Sequence, residues 1–190
     1  MKNICFVLVC LFVSFEILAQ VARDKDSDEH GTAKLMMALE GEKLHVEFEV
    51  PSESLIGFEH FPKSQSNRKN FNEAIKILSD PSKLFSIPIK AECLLVGMNV
   101  SQSLFSNEEE RGHEDEEEHG HDESEKSEIH SGFKSNYYWN CQHLDEIDSI
   151  GTQLMSFFFG IEEIRVNWIS NNGQGSLELE SKDDRIKGWE

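Results

Sequence analysis

Half of the eight histidines in this chain, His113, His119, His121 and His130, lie in or just beyond a dense run of carboxylates. Residues 108–128 carry twelve acids against two bases, Arg111 and Lys126. Imidazole nitrogen and carboxylate oxygen are the ligand atoms of a borderline divalent cation such as zinc. The run therefore reads as a metal trap. His119-Gly120-His121 cannot share a helical face, but in an extended segment residues i and i+2 point the same way, and both rings reach one ion. His113 or His130, with any of Glu114, Asp115, Asp122 and Glu123, completes a shell of about four ligands. The remaining carboxylates raise the local cation concentration and orient the rings. The plainer alternative is an acidic, solvated linker with incidental histidines.

Carboxylates alone would suit calcium, yet the run has no Asp-x-Asp-x-Asp-Gly ladder of the EF-hand kind. Imidazole favours Zn2+, with Cu2+ and Ni2+ as the other candidates. Because imidazole ligates as a neutral ring, binding should weaken as pH falls through about 6. No nucleophile elbow, His-Glu-x-x-His helix or phosphate-binding glycine loop is present, so no enzyme is expected.

The N-terminus bears on where such a trap would work. Lys2, the apolar residues 4–15 and the small residue Ala19 describe a cleaved secretory signal over residues 1–19. The apolar stretch is too short to span a bilayer. About 170 residues follow, the size of one domain, so residues 20–190 are expected to form a single zinc-binding domain, exported and not inserted in the membrane. The net charge of −18 argues against nucleic acid or an anionic membrane as partner and favours cations.

Of the four cysteines, Cys5 and Cys10 leave with the signal. Cys93 and Cys141 remain, and in an oxidising compartment such a pair is most simply a disulfide; two separate buried thiols are the other reading. Strand-like segments flank the acidic run on both sides, so the disulfide would staple a hairpin-like pair with the run as its long loop. Closing that loop would stabilise the fold by roughly 3–4 kcal/mol.

The elements that must hold this loop follow from periodicity. Residues 34–39 and 43–50 read as strands about a Glu40-Gly41-Glu42 turn, with Leu44, Val46, Phe48 and Val50 alternating against polar residues. Phe71, Ala74, Ile75 and Leu78 give residues 67–79 one apolar helical face, stopped by Asp80-Pro81. Residues 84–89 pack apolar side chains around a turn. Residues 91–100, rich in Leu and Val, read as a strand buried on much of both faces. Residues 133–141 put Phe133, Tyr137 and Trp139 on one face. Ile150, Leu154, Phe157 and Phe158 fit a second helix. Residues 161–169 form a strand that turns at Asn171-Asn172-Gly173 and pairs with residues 176–180. Residues 21–29 are expected to fray, and the tail from Ser181 is polar. The fold class is thus α+β: antiparallel sheet with two or more packing helices, in a coarse β-β-α-β / β-α-β-β mirror. A long, disordered, acidic, histidine-containing loop, residues 106–132, stands at the join.

Two stretches resemble the ZrgA family of bacterial periplasmic zinc-uptake proteins. One runs from His30-Gly31-Thr32-Ala33-Lys34-Leu35 through Ala38-Leu39-Glu40-Gly41 to Leu55-Ile56-Gly57-Phe58-Glu59-His60. The other is Ile164-Arg165-Val166-Asn167-Trp168-Ile169 with Gly173-Gln174-Gly175. Cys93 and Cys141 around a His/acid-rich insert fit the same pattern. The likeness implies a periplasmic protein that captures or buffers Zn2+ and assists its uptake, with a zinc importer component as partner. It also makes His30 and His60 candidate ligands beside those of the loop. Asp28 stands where relatives often have a second histidine, and this insert is richer in acids than theirs. The competing expectation is an envelope interaction module whose acidic loop contacts a basic partner.

Overall fold

In the computed structural model, residues 30–104 and 131–189 are described. The expected signal segment, residues 20–29 and the whole acidic run lie outside them, and with the run lie His113, Glu114, Asp115, His119, His121, Asp122 and His130.

Alternation builds the centre of the molecule. Strand β1 (Thr32–Glu40) buries Ala33, Leu35, Met37 and Leu39, and β2 (Lys43–Pro51) buries Leu44, Val46, Phe48 and Val50. Their antiparallel register sets Leu35 opposite Phe48 and Met37 opposite Val46, so one face of the pair is apolar throughout. Strand β5 (Gly132–Cys141) continues that face from β2 with Phe133, Tyr137 and Trp139. Strand β4 (Cys93–Gln102) pairs with β5, and Cys93 and Cys141 are joined by a disulfide at the start of that ladder. On the other flank β7 (Glu163–Ser170) lies beside β1 and pairs with β8 (Gly173–Leu179). The six-stranded sheet has the order β4-β5-β2-β1-β7-β8.

The opposite face mixes charged and polar side chains with the exposed Met36, Tyr138 and Ile169. Lys134 holds Glu47 at 2.9 Å and Glu49 at 2.7 Å across the β2–β5 ladder. These two acceptors raise the Lys134 ammonium to about 12.

Helices cover the apolar face. After β2 comes a short α1 (Ser52–Ile56), then α2 (Gln65–Leu78), whose start is capped by the Ser64 hydroxyl accepting the Asn67 N–H at 3.0 Å. Ala74 and Leu78 are buried, and the Phe71 ring packs 5.8 Å from Phe133. Asp80-Pro81 ends α2 and opens the single turn α3 (Pro81–Leu84). A second, three-stranded sheet joins β3 (Phe85–Ser86), β6 (Ile150–Thr152) and β9 (Arg185–Ile186) in that order.

The α+β class holds, with four differences of detail. The β1–β7 pairing is parallel, Thr32 opposite Glu163 through Leu39 opposite Ser170, so the large sheet is mixed. The expected second helix shrinks to α4 (Leu154–Phe157). Ile150-Gly151-Thr152, two β-branched residues around a glycine, are poor helix formers and extend as β6, while Phe157 turns outward. The tail is docked: Ile186 and Trp189 are buried, and the Trp189 indole donates to the Ile147 carbonyl at 2.6 Å. Finally, among the described residues β4 is an edge strand, with Leu94, Leu95, Val96 and Met98 exposed, not a strand buried on both faces.

Candidate metal centre

The chain enters β1 through His30 and Gly31. Gly31 has φ +88°, a left-handed conformation that glycine adopts without strain. Its N–H donates to the buried Ser54 hydroxyl at 2.9 Å, and its carbonyl accepts the N–H groups of Glu162 and Glu163 at 2.8 and 3.1 Å. These bonds pin the start of β1 against α1. From the other side Gly160 lies so close to α1 that an added Cβ would stand 2.4 Å from the Ser54 carbonyl oxygen. Ser52 and Ser54 are buried by this packing, which leaves Glu53, between them, facing outward beside His30. The His30 Nδ1 lies 2.8 Å from Glu53 Oε2, with about half or more of each side chain exposed.

Glu59 arrives from the segment after α1. Its backbone carbonyl accepts the Ser131 hydroxyl at 3.2 Å, and the Ser131 carbonyl accepts the Ser52 N–H at 2.8 Å. One ligand atom each from His30, Glu53 and Glu59 all lie within 4.8 Å of one another. One imidazole and two carboxylates are a donor set that zinc accepts. A tetrahedral shell with bonds of about 2.0–2.1 Å separates ligand atoms by about 3.4 Å, so small side-chain adjustments would close this group on an ion. Three protein ligands would leave a fourth position open, on the side where His30 and Glu53 are each about half or more exposed.

Of the residues expected from the sequence, His30 lies in this group and His60 does not. The His60 Nδ1 donates to its neighbour's carbonyl, Phe61 O, at 2.9 Å, and its ring stacks on Phe58 at 5.0 Å. Glu53 and Glu59 of this group are not among the ligands expected from the sequence. Glu59 stands next to His60 in Gly57-Phe58-Glu59-His60, where imidazole is the more conspicuous zinc ligand. Nothing local marks Glu53, because only the docking of α1 against Gly31 brings it to His30.

The two ends of the acidic run leave the fold together beside this centre. The Ser103 N–H donates to the Gly132 carbonyl at 3.0 Å, and the Gly132 N–H donates to the Ser103 hydroxyl at 2.8 Å. Among the described residues no helix is long and apolar enough to cross a membrane.

A family model described as ZrgA family zinc uptake protein matches residues 27–188. No curated protein matches the sequence.

Proposed function

This chain belongs to the ZrgA family of zinc uptake proteins, and from that premise we propose that it captures Zn2+ in the periplasm and buffers it or hands it to an importer component. The observation that carries the reading is the convergence of His30, Glu53 and Glu59 within 4.8 Å. Zn2+ is the cargo, held by these three side chains with one position left for exchange. In this reading residues 20–190 form one zinc-binding domain, delivered by the signal segment at residues 1–19. The Cys93–Cys141 disulfide supports an oxidising compartment.

The acidic run collects the ion. His113, His119, His121 and His130, with Glu114, Asp115 and Asp122, offer several weak and interchangeable ligand sets. Twelve carboxylates against two bases concentrate cations around them. Both ends of the run are fixed next to the His30 centre through Ser103, Ser131 and Gly132. Zinc caught by the run is therefore held a short distance from the core ligands. A rigid core site gives affinity, because less entropy is lost than in ordering a polar loop.

Calorimetric titration of zinc into metal-free mature protein tests this, beside a version with residues 107–130 replaced by a short Gly/Ser linker, which keeps Ser131 and its bonds to Glu59 and Ser52. The expected result is two classes of site in the full protein and one tighter class surviving in the linker version. Loss of all tight binding with the linker would move the site to the run alone. Binding of neither protein above a weak acidic background would overturn zinc capture and leave an acidic interaction module in its place.

A further inference from the structure

Helix α2 turns a basic face to solvent in a chain of net charge −18. Phe71, Ala74, Ile75 and Leu78 pack on the core. On the other side one shallow groove is lined by Gln65, Arg68, Lys69, Asn72, Glu73 and Lys76, all exposed. Their helical spacing makes these six one continuous face along the helix. Three cations meet a single acid there, and Lys63 stands just before the helix. The first turn of α2 carries no acid, so the positive end of the helix dipole adds to the face. Arg68 is fixed at that end, donating to the Pro62 and Lys63 carbonyls at 3.3 and 2.8 Å. Among the described residues neither Lys69 nor Lys76 forms an ion pair. Other bases of the fold are already answered: Lys83 by Asp80, Lys134 by Glu47 and Glu49, and Arg165 by Glu163.

We propose that the chain's own acidic run, residues 108–128, docks on this face of α2 when no metal is bound. Charge selects the occupant. The run sets twelve acids against two bases, whereas the described residues carry eighteen acids beside thirteen bases, so the run is the densest negative charge in the chain. Routing brings it there. The Ser131 hydroxyl donates to the Glu59 carbonyl, and the Phe133 ring lies 5.8 Å from Phe71 of α2, so the run re-enters the fold beside this helix. From Ser131 back to Asp122 is nine residues, up to about 30 Å when extended. The 14 residues of α2 span about 21 Å. Asp122, Glu123, Glu125 and Glu128 can therefore reach the whole face. Exposed ion pairs are weak one at a time, but a tether this short supplies an effective concentration on the order of millimolar, at which weak pairs suffice. One consequence rests on the zinc-capture reading. Zn2+ brings opposite charge to the same carboxylates, so loading the run releases it from α2, and docking lowers the run's zinc affinity by the same factor.

Carbodiimide coupling of the metal-free, mature, disulfide-bonded chain at about 5 μM, read by peptide mapping of the monomer, tests the contact. At about 0.01 M salt, where charges act over about 30 Å, amide links from Lys69 and Lys76 to carboxylates of residues 108–128 are expected. At about 1 M salt, where that range is about 3 Å, the links should fall at least about tenfold. Links formed as readily to the exposed Lys43, Lys90 and Lys182 would mean indiscriminate contact and overturn the proposal. Amide NMR gives a second measure. Replacing residues 107–130 by the Gly/Ser linker should shift the α2 amides at low salt, and Lys69→Glu with Lys76→Glu should remove that difference. Identical α2 amides in the unmutated chain and the linker version refute the docking even if the charge-reversed variant folds poorly. Saturating zinc should abolish the links. Links that persist with zinc bound leave the docking in place and count against the run as the zinc collector.

Discussion

The Ser131 hydroxyl donates to the Glu59 carbonyl oxygen at 3.2 Å, tying the end of the acidic run to the segment that brings a carboxylate to His30. The same serine accepts the Ser52 N–H through its carbonyl. Under the proposed capture role, zinc gathered by the run would need only a short transfer to the His30 group, so the run would not have to bind it tightly.

The core ligands can be told apart from their neighbours by substitution in the Gly/Ser-linker version. His30→Ala removes the imidazole of the group and should weaken zinc binding by at least about tenfold to a hundredfold, the range reached even by outer partners of a metal site. His60→Ala should leave affinity within about threefold, since that ring is engaged with Phe58 and the Phe61 carbonyl. Neither change should alter stability much, as both side chains are exposed. Calorimetry showing the reverse order would move the site to His60.

Glu53 is placed by backbone packing, so disturbing that packing should reach the metal. In Gly160→Ala the new Cβ stands 2.4 Å from the Ser54 carbonyl oxygen and 3.0 Å from its carbon, and backbone has to move. Overpacking of this kind costs about 1–3 kcal/mol, a fall of roughly 3–10 °C in Tm. Zinc affinity should fall with it although no ligand is changed. A variant with lowered Tm and unaltered zinc binding would show that α1 does not position the site.

What the sequence made legible is what local periodicity can encode. Leu44, Val46, Phe48 and Val50 announced β2. Phe71, Ala74, Ile75 and Leu78 announced α2 to within two residues. Cysteine count, with the oxidising compartment expected from the N-terminus, pointed to the Cys93–Cys141 bond. Pairing between distant strands has no such local signal. The parallel register of Ala33 with Ile164 depends on chain routing, and Leu94 and Val96 report a strand-forming composition without reporting how many neighbours the strand has. Trp189 reads from sequence as part of a polar tail, because one indole among charged residues leaves no pattern. For the site, His30 was visible through the family likeness. Glu53 and Glu59 were two carboxylates among thirty-six, and only the tertiary fold singles them out.

The disulfide spans a sequence separation of 48 and encloses the whole acidic run. Loop-closure entropy for that length is worth about 4 kcal/mol. The double replacement of Cys93 and Cys141 by Ser should lower Tm by roughly 10 °C, measured calorimetrically at pH 7. Because β4 has β5 as its one strand neighbour among the described residues, β4 amides should lose hydrogen-exchange protection before those of β1 and β2. Uniform loss across the sheet would argue that the bond stabilises the fold as one unit and not chiefly the β4–β5 pair.

Alkaline titration probes the core directly. Tyr137 is fully buried, donates its hydroxyl to the Leu78 carbonyl at 2.7 Å, and is pushed by burial from 10.0 to about 12. Below pH 10 the phenol is neutral in folded and unfolded chains alike, and its contribution to stability is complete. From pH 10 to 12 the unfolded chain ionises while the folded chain does not. Stability therefore falls as pH rises, by about 3 kcal/mol once pH 12 is passed. Lys134, also raised to about 12, loses its proton more readily when unfolded and acts in the same direction. Its side chain is 44% exposed, so screening reduces its share. Tyr137→Phe separates the two. At pH 7 the variant should be about 1 kcal/mol less stable for the lost hydrogen bond, yet its stability should decline less between pH 10 and 12. Parallel pH profiles for parent and variant in urea unfolding would show that the Tyr137 phenol is not what limits stability in alkali.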